Sequence, residues 1–282
     1  MQPFDETRIP ASPYPELREV LHAFADGVAA TLLEDLAGLY LVGSLATGDF
    51  DLDSDVDFLA LVKQDLGAGE QAALQALHTA MHERDSYPAR HLEGSYLSLA
   101  DLRDAATVGA KPVFYFDNGS IVPEWSTHDN QWHVRWVLRE RGIRLYGPEP
   151  AQLLPAVPRE ALLEEVRAAL LRATRLFQEQ LDAPLCFYNS RFGQSFFVLT
   201  ACRMLHSLNT ATVQSKKVGA EWAKMNVDPA WIPLIEQAWQ ERQGVRFMRK
   251  IGQRAHPDLL RQTLDFMQYA LAHRDEFTLG AG

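Results

Sequence analysis

The chain has 282 residues, 47% apolar and 23% charged, with a formal net charge of −10. Those proportions belong to a soluble globular protein, and the length allows one large domain or two ordinary ones. The acid excess argues against general nucleic-acid binding, whose affinity comes from basic surface, and no segment approaches the ~18–20 apolar residues of a membrane helix.

The elements follow in chain order. Leu17, Val20, Leu21, Phe24, Val28, Leu32 and Leu33 recur at helical spacing and predict a helix over residues 14–37. Leu39-Tyr40-Leu41-Val42 is a short apolar run that ends at Gly43, as a buried strand meeting a turn does. Phe58-Leu59-Ala60-Leu61-Val62 reads as a second strand. A helix over 70–84 follows, with Leu74, Leu77 and Met81 on one stripe, then a strand over 91–98. Val113–Phe116 is a further strand, stopped by the turn residues Asp117-Asn118-Gly119-Ser120. Trp132–Arg141 reads as helix, and Ile143–Tyr146 as a strand closed by Gly147-Pro148. Pro148, Pro150, Pro155 and Pro158 then mark a domain boundary, placed at residues 150/151. Beyond it, helices are expected from Pro158 to about Leu181, from a cap at Asn189 or Ser190 through Phe196–Cys202, near 217–225, over 231–244 and over 257–273. The fold class is therefore α+β, an α/β domain with a mixed sheet followed by an all-α bundle.

The chemistry concentrates between the first two strands. Gly43-Ser44 is separated by ten residues from Asp55-Val56-Asp57. Gly43 lets backbone approach a ligand closely. Ser44 adds a hydroxyl, and free N–H groups at a helical turn starting there suit an anion. Strand side chains repeat every two residues, so Asp55 and Asp57 share a face. Two carboxylates side by side repel unless a cation lies between them, and Mg²⁺ is held by one or two carboxylates together with substrate phosphates. The acids Asp51, Asp53, Asp55 and Asp57 alternate, which also fits a solvated turn. An EF-hand does not fit, because the required glycine and twelfth-position glutamate are missing.

This segment resembles the signature of the nucleotidyltransferases related to DNA polymerase β. The resemblance implies that Gly43 and Ser44 hold nucleotide phosphates, that Asp55 and Asp57 bind Mg²⁺, and that a nucleoside monophosphate passes to an acceptor. A third acid is expected on a neighbouring strand. Glu93 is the one acid in the 91–98 strand, and it either completes the metal site or takes the acceptor's proton.

The second half resembles the streptomycin/spectinomycin adenylyltransferases over Val198–Arg203 and Lys216-Lys217-Val218-Gly219-Ala220-Glu221-Trp222-Ala223. That likeness favours the general-base role for Glu93. It also implies that Arg203 and Lys216 contact nucleotide phosphates in a cleft between the domains. On its own, Arg203 follows an apolar helical run and needs an anion, either a phosphate or an acid such as Glu236 or Asp265. One departure concerns the acceptor. The stretch where the antibiotic-modifying members carry acids for the drug's amines is here Phe187–Ser195, with no acid and with Arg191.

The expectation is a Mg²⁺-dependent enzyme transferring AMP from ATP to a hydroxyl of a small molecule, with an aminoglycoside-type antibiotic as the leading acceptor. The alternatives are AMP transfer to a partner protein and a non-catalytic nucleotide-binding or antitoxin-like regulator. Neither a nucleic-acid nor a membrane partner is expected. The first residues, Met1–Arg8, lack a secretory signal, and Cys186 and Cys202 make no disulfide framework, so the cytoplasm is the expected compartment.

Overall fold

The computed structural model describes residues 6–244 and 250–278, so most of the N-terminal stretch examined for a secretory signal lies outside the described residues. By contacts, the chain divides into two compact units, Met1–Val157 and Pro158–Gly282. The division falls at the far end of the proline-rich stretch Pro148–Pro158. Residues past 150 still belong to the first unit: Leu154 is buried, its carbonyl accepts from Arg139 Nε at 3.3 Å, and that of Leu153 accepts from Arg103 Nε at 3.2 Å.

The first unit is built on strands β1 (Leu36–Leu41), β2 (Val56–Val62), β3 (Leu92–Ser98), β4 (Val113–Phe116), β5 (Glu124–Ser126) and β6 (Ile143–Tyr146). They lie in the order β5-β4-β3-β2-β1-β6. β2 and β3 are parallel and the other pairs antiparallel, which makes the sheet mixed. A parallel pair needs a long crossover, supplied by α3 (Ala68–His82), after α1 (Leu17–Leu32) and α2 (Gly43–Thr47). Short helices α4 (Tyr87–Arg90) and α5 (Leu99–Arg103) flank β3, and α6 (Trp132–Arg141) precedes β6.

The apolar stripe of α1, including Leu17, Leu21, Phe24 and Val28, joins Phe58, Ala60, Leu74, Phe114 and Phe116 in one core. Full burial of each large side chain contributes roughly 1.5–3 kcal/mol. His78 is sealed in that core, stacked 3.7 Å from the Phe116 ring, and burial drives its pKa down to about 3. One layer of the sheet thus faces the core. The opposite layer, at the β2–β3 end, carries the acids.

The second unit is helical: α7 (Arg159–Gln180), α8 (Arg191–Thr210), α9 (Lys216–Asn226), α10 (Ile232–Gly244) and α11 (Pro257–Thr278). α8 is the central helix, and α7, α9, α10 and α11 all pack on it. Its apolar run Phe197–Cys202 is buried throughout, as a helix apolar on all sides requires. Ser190 caps it, its hydroxyl accepting from Gly193 N at 2.9 Å. No described helix is long and apolar enough to cross a membrane.

Candidate active site

β1 runs straight into α2, and Gly43 makes the corner with a φ of +54°, a conformation that favours glycine. The space is as restrictive as the dihedral. A Cβ on Gly43 would collide with the Asp57 carboxylate. Val42 N donates to Asp57 O at 3.0 Å, and Ser44 N lies 3.4 Å from Asp57 Oδ2. The turn therefore rests directly on the aspartate that sequence separates from it by more than ten residues. Ser44 Oγ is buried and has no hydrogen-bond partner among the described residues. A buried hydroxyl left unpaired is costly, and an incoming phosphate oxygen would pair it.

The alternating acids divide into two groups. Asp51 closes a local turn, accepting from Ser54 Oγ at 2.8 Å and from Asp53 N at 3.0 Å. Asp55 and Asp57 stand at the mouth of β2. β2 and β3 pair in register with Asp57 opposite Glu93, so the two side chains project side by side from adjacent strands. Among the described residues no three His, Cys, Asp or Glu side chains gather closely enough to hold a metal ion. The two aspartates nevertheless offer carboxylate oxygens, the donor type that suits Mg²⁺ when phosphates complete the shell.

Glu93 feels this crowding. Burial, then the Asp57 and Asp55 charges, push its pKa up to about 9, against the lowering effect of a hydrogen bond from Tyr115. Tyr115 Oη donates to Glu93 Oε1 at 2.7 Å and lies 3.1 Å from Asp117 Oδ1. Burial and the adjacent Glu93 raise the Tyr115 pKa and keep its hydroxyl protonated. His128 Nε2 is 3.6 Å from the same Glu93 oxygen and 4.0 Å from Asp129 Oδ1. Asp129, buried, accepts from Ser95 Oγ at 2.8 Å.

In the helical unit, Gly219 of α9 lies against the backbone of Arg203 in α8, where a Cβ would come within 2.7 Å of Arg203 Cα. This close approach brings Arg203 and Lys216, one turn before Gly219, onto adjoining helices. Lys216 Nζ sits 4.6 Å from the centre of the Phe196 ring, two turns before Arg203. Ser215 caps α9, and its first turn carries Lys216 and Lys217 and no acid.

Two family descriptions match. "Nucleotidyltransferase domain" covers residues 27–89, with Gly43, Ser44, Asp55 and Asp57 inside it, and "Aminoglycoside adenylyltransferase, C-terminal domain" covers 152–268, with Arg203 and Lys216. The chain belongs to the nucleotidyltransferases, close to the aminoglycoside adenylyltransferases. Among curated proteins, this nucleotidyltransferase is 23% identical over 219 residues to a spectinomycin 9-adenylyltransferase of Campylobacter jejuni, spanning 75% of this chain and 80% of that one. It is 26% identical over 222 residues to the spectinomycin 9-adenylyltransferase of Staphylococcus aureus, spanning 75% and 78% of the two chains. Among solved structures, a spectinomycin adenyltransferase from Enterococcus faecialis, with ATP and spectinomycin, matches with a TM-score of 0.67 at 16% identity. That match covers 90% of this chain and 99% of the other, and shows the shared fold.

Several groups of the candidate site carry no signal in the sequence. Tyr115, Asp117, His128 and Asp129 all gather round Glu93, yet they come from β4 and the segments after β4 and β5, with no spacing that links them to it. Trp125 is 57% exposed on the edge strand β5. The acid-free stretch Phe187–Ser195 leads into α8 and is anchored by local contacts. Asn189 is fully buried, its amide nitrogen donating to the carbonyls of Gln180, Ala183 and Pro184. Arg191 is paired with Glu241 at 2.7 Å.

Proposed function

We propose that this enzyme transfers AMP from Mg·ATP to a hydroxyl of a cationic aminocyclitol antibiotic, with spectinomycin the first candidate. The observation that carries the reading is the Gly43-Ser44 turn seated on Asp57, with Glu93 in register on the next strand. The curated relatives named for spectinomycin 9-adenylylation direct the choice of acceptor. The carboxylates crowded round Glu93 agree with a positively charged one.

Gly43 and Ser44 hold the β- and γ-phosphates through backbone N–H groups and the unpaired Ser44 hydroxyl. Asp55 and Asp57 hold the metal, which when bound neutralises phosphate charge and polarises the α-phosphorus. Arg203 and Lys216, inside the matched aminoglycoside adenylyltransferase C-terminal domain, neutralise the remaining triphosphate charge. Glu93 accepts the proton of the acceptor hydroxyl, the freed oxygen bonds to the α-phosphorus, and the bond to the β-phosphate oxygen breaks to release pyrophosphate. Glu93 ionises, and can serve as base, once the positive charge of metal and acceptor offsets the Asp57 and Asp55 charges that hold its pKa up.

The test is pyrophosphate release with ATP and Mg²⁺ across a panel including spectinomycin and streptomycin, with mass spectrometry of the product. An adduct heavier by one AMP, absent for Asp57→Ala, is expected. Equal turnover by Asp57→Ala overturns the assignment of the site.

A further inference from the structure

The two oxygens of Glu93 are not equivalent. Oε1 receives the Tyr115 hydroxyl at 2.7 Å and faces His128 Nε2 at 3.6 Å. Oε2 makes no hydrogen bond among the described residues. The Tyr115 hydroxyl has a second acceptor, Asp117 Oδ1, but at 3.1 Å that contact is the longer one, and a single O–H proton is directed to one acceptor at a time.

The position of Tyr115 is itself well determined. It pairs with Ser95 across the antiparallel β3–β4 ladder, two residues along β3 from Glu93, so it projects from the same face of the sheet. Its main chain lies in a fully buried four-residue strand, and the His128 ring stacks on its ring at 5.2 Å. The hydroxyl is thus delivered by rigid backbone and cannot follow the glutamate if the glutamate rotates.

We infer that Tyr115 is a positioning residue for the transfer reaction: it pins Oε1 of Glu93 and so presents Oε2, in one orientation, to the proton of the acceptor hydroxyl. This rests on the proposed role of Glu93 as base. A glutamate has three side-chain torsions, and freezing the last of them with a strong O–H···O contact keeps the basic oxygen in line for the nucleophile, the geometry on which proton transfer depends. The proton moves from the acceptor oxygen to Oε2. Tyr115 keeps its own proton throughout.

The experiment compares wild type, Tyr115→Phe, Glu93→Gln and the double variant, with Mg·ATP and an acceptor that wild type modifies. Tyr115→Phe keeps the ring, its stack on His128 and the fold, and removes only the hydroxyl. The inference expects kcat to fall about 10–100-fold, the loss typical of a misoriented base, with the KM values for ATP and acceptor and the melting temperature little changed. In the Glu93→Gln background the same change should cost less than about threefold, because Tyr115 acts through Glu93. A kcat for Tyr115→Phe within about twofold of wild type, or equal losses in both backgrounds, overturns it.

A second readout needs no acceptor. The infrared carboxyl band assigned to Glu93 by its absence in Glu93→Gln should shift in Tyr115→Phe, and an unshifted band also overturns the inference. If wild type modifies no acceptor in the panel, the functional proposal fails, and the band still decides whether Tyr115 holds Glu93.

Discussion

At Gly43 a methyl group would enter the space of the Asp57 carboxylate, on backbone whose φ of +54° already disfavours a side chain. Relief requires Asp57 to turn away from its place beside the Gly43-Ser44 turn. Gly43→Ala is therefore expected to cost about 1–3 kcal/mol in stability and at least 100-fold in activity, read by denaturant unfolding and by pyrophosphate release. Glu93 makes a prediction about pH. Its folded pKa of about 9 lies above the ordinary carboxylate value of 4.5, so between those limits the folded protein retains a proton that the unfolded chain has released. The metal-free protein should lose stability as pH rises through that window, each unit of pKa difference being about 1.4 kcal/mol at most. Glu93→Gln, which cannot ionise, should flatten the slope and be the more stable form at pH 8 and above, while losing about 10²–10⁴-fold in kcat. Parallel stability–pH curves for the two proteins in chelator would contradict this.

Helices α8 and α9 depend on a different glycine. Gly219 permits their backbones to touch at Arg203, with Cβ-to-backbone distances of 2.7 and 2.8 Å for an introduced side chain. Neither neighbouring atom is the end of a flexible group, so Gly219→Ala has to move a helix. Overpacking of this kind costs roughly 1–3 kcal/mol. Because Arg203 and Lys216 straddle the contact, the same shift should raise KM for ATP several-fold while an acceptor's KM stays close to wild type. A lowered melting temperature with an unchanged KM for ATP would mean that these two cations do not meet the nucleotide.

Over the whole molecule, a net charge of −10 attracts cations from solution. With a cationic acceptor, KM should rise by roughly several-fold as ionic strength goes from about 0.02 to 0.3 M, since the Debye length shrinks from about 20 Å to about 6 Å. An uncharged acceptor would show no such trend, so the salt series also reports the acceptor's charge.

The elements that local pattern specifies are legible in the sequence. The helix Trp132–Arg141 and the strands Val113–Phe116 and Ile143–Tyr146 are bounded by turn residues and apolar runs that act within a few positions. The Gly-Ser turn and the Asp-x-Asp pair are likewise local, so their residues and approximate chemistry could be named from spacing alone. β1 began three residues earlier than its apolar run suggested, and β5 was not recognised at all, because an exposed three-residue edge strand carries no alternation to read. The surroundings of Glu93 were beyond reach for a deeper reason. Register across β2, β3 and β4 sets Asp57 beside Glu93 and aims Tyr115 at one of its oxygens, while the chain returning from β5 adds His128 and Asp129. Sequence determined which groups this protein possesses and where most of its strands and helices lie. Strand pairing between distant segments, a long-range choice made by burying one face of the sheet, decided which of those groups meet and how far the charge of one shifts another.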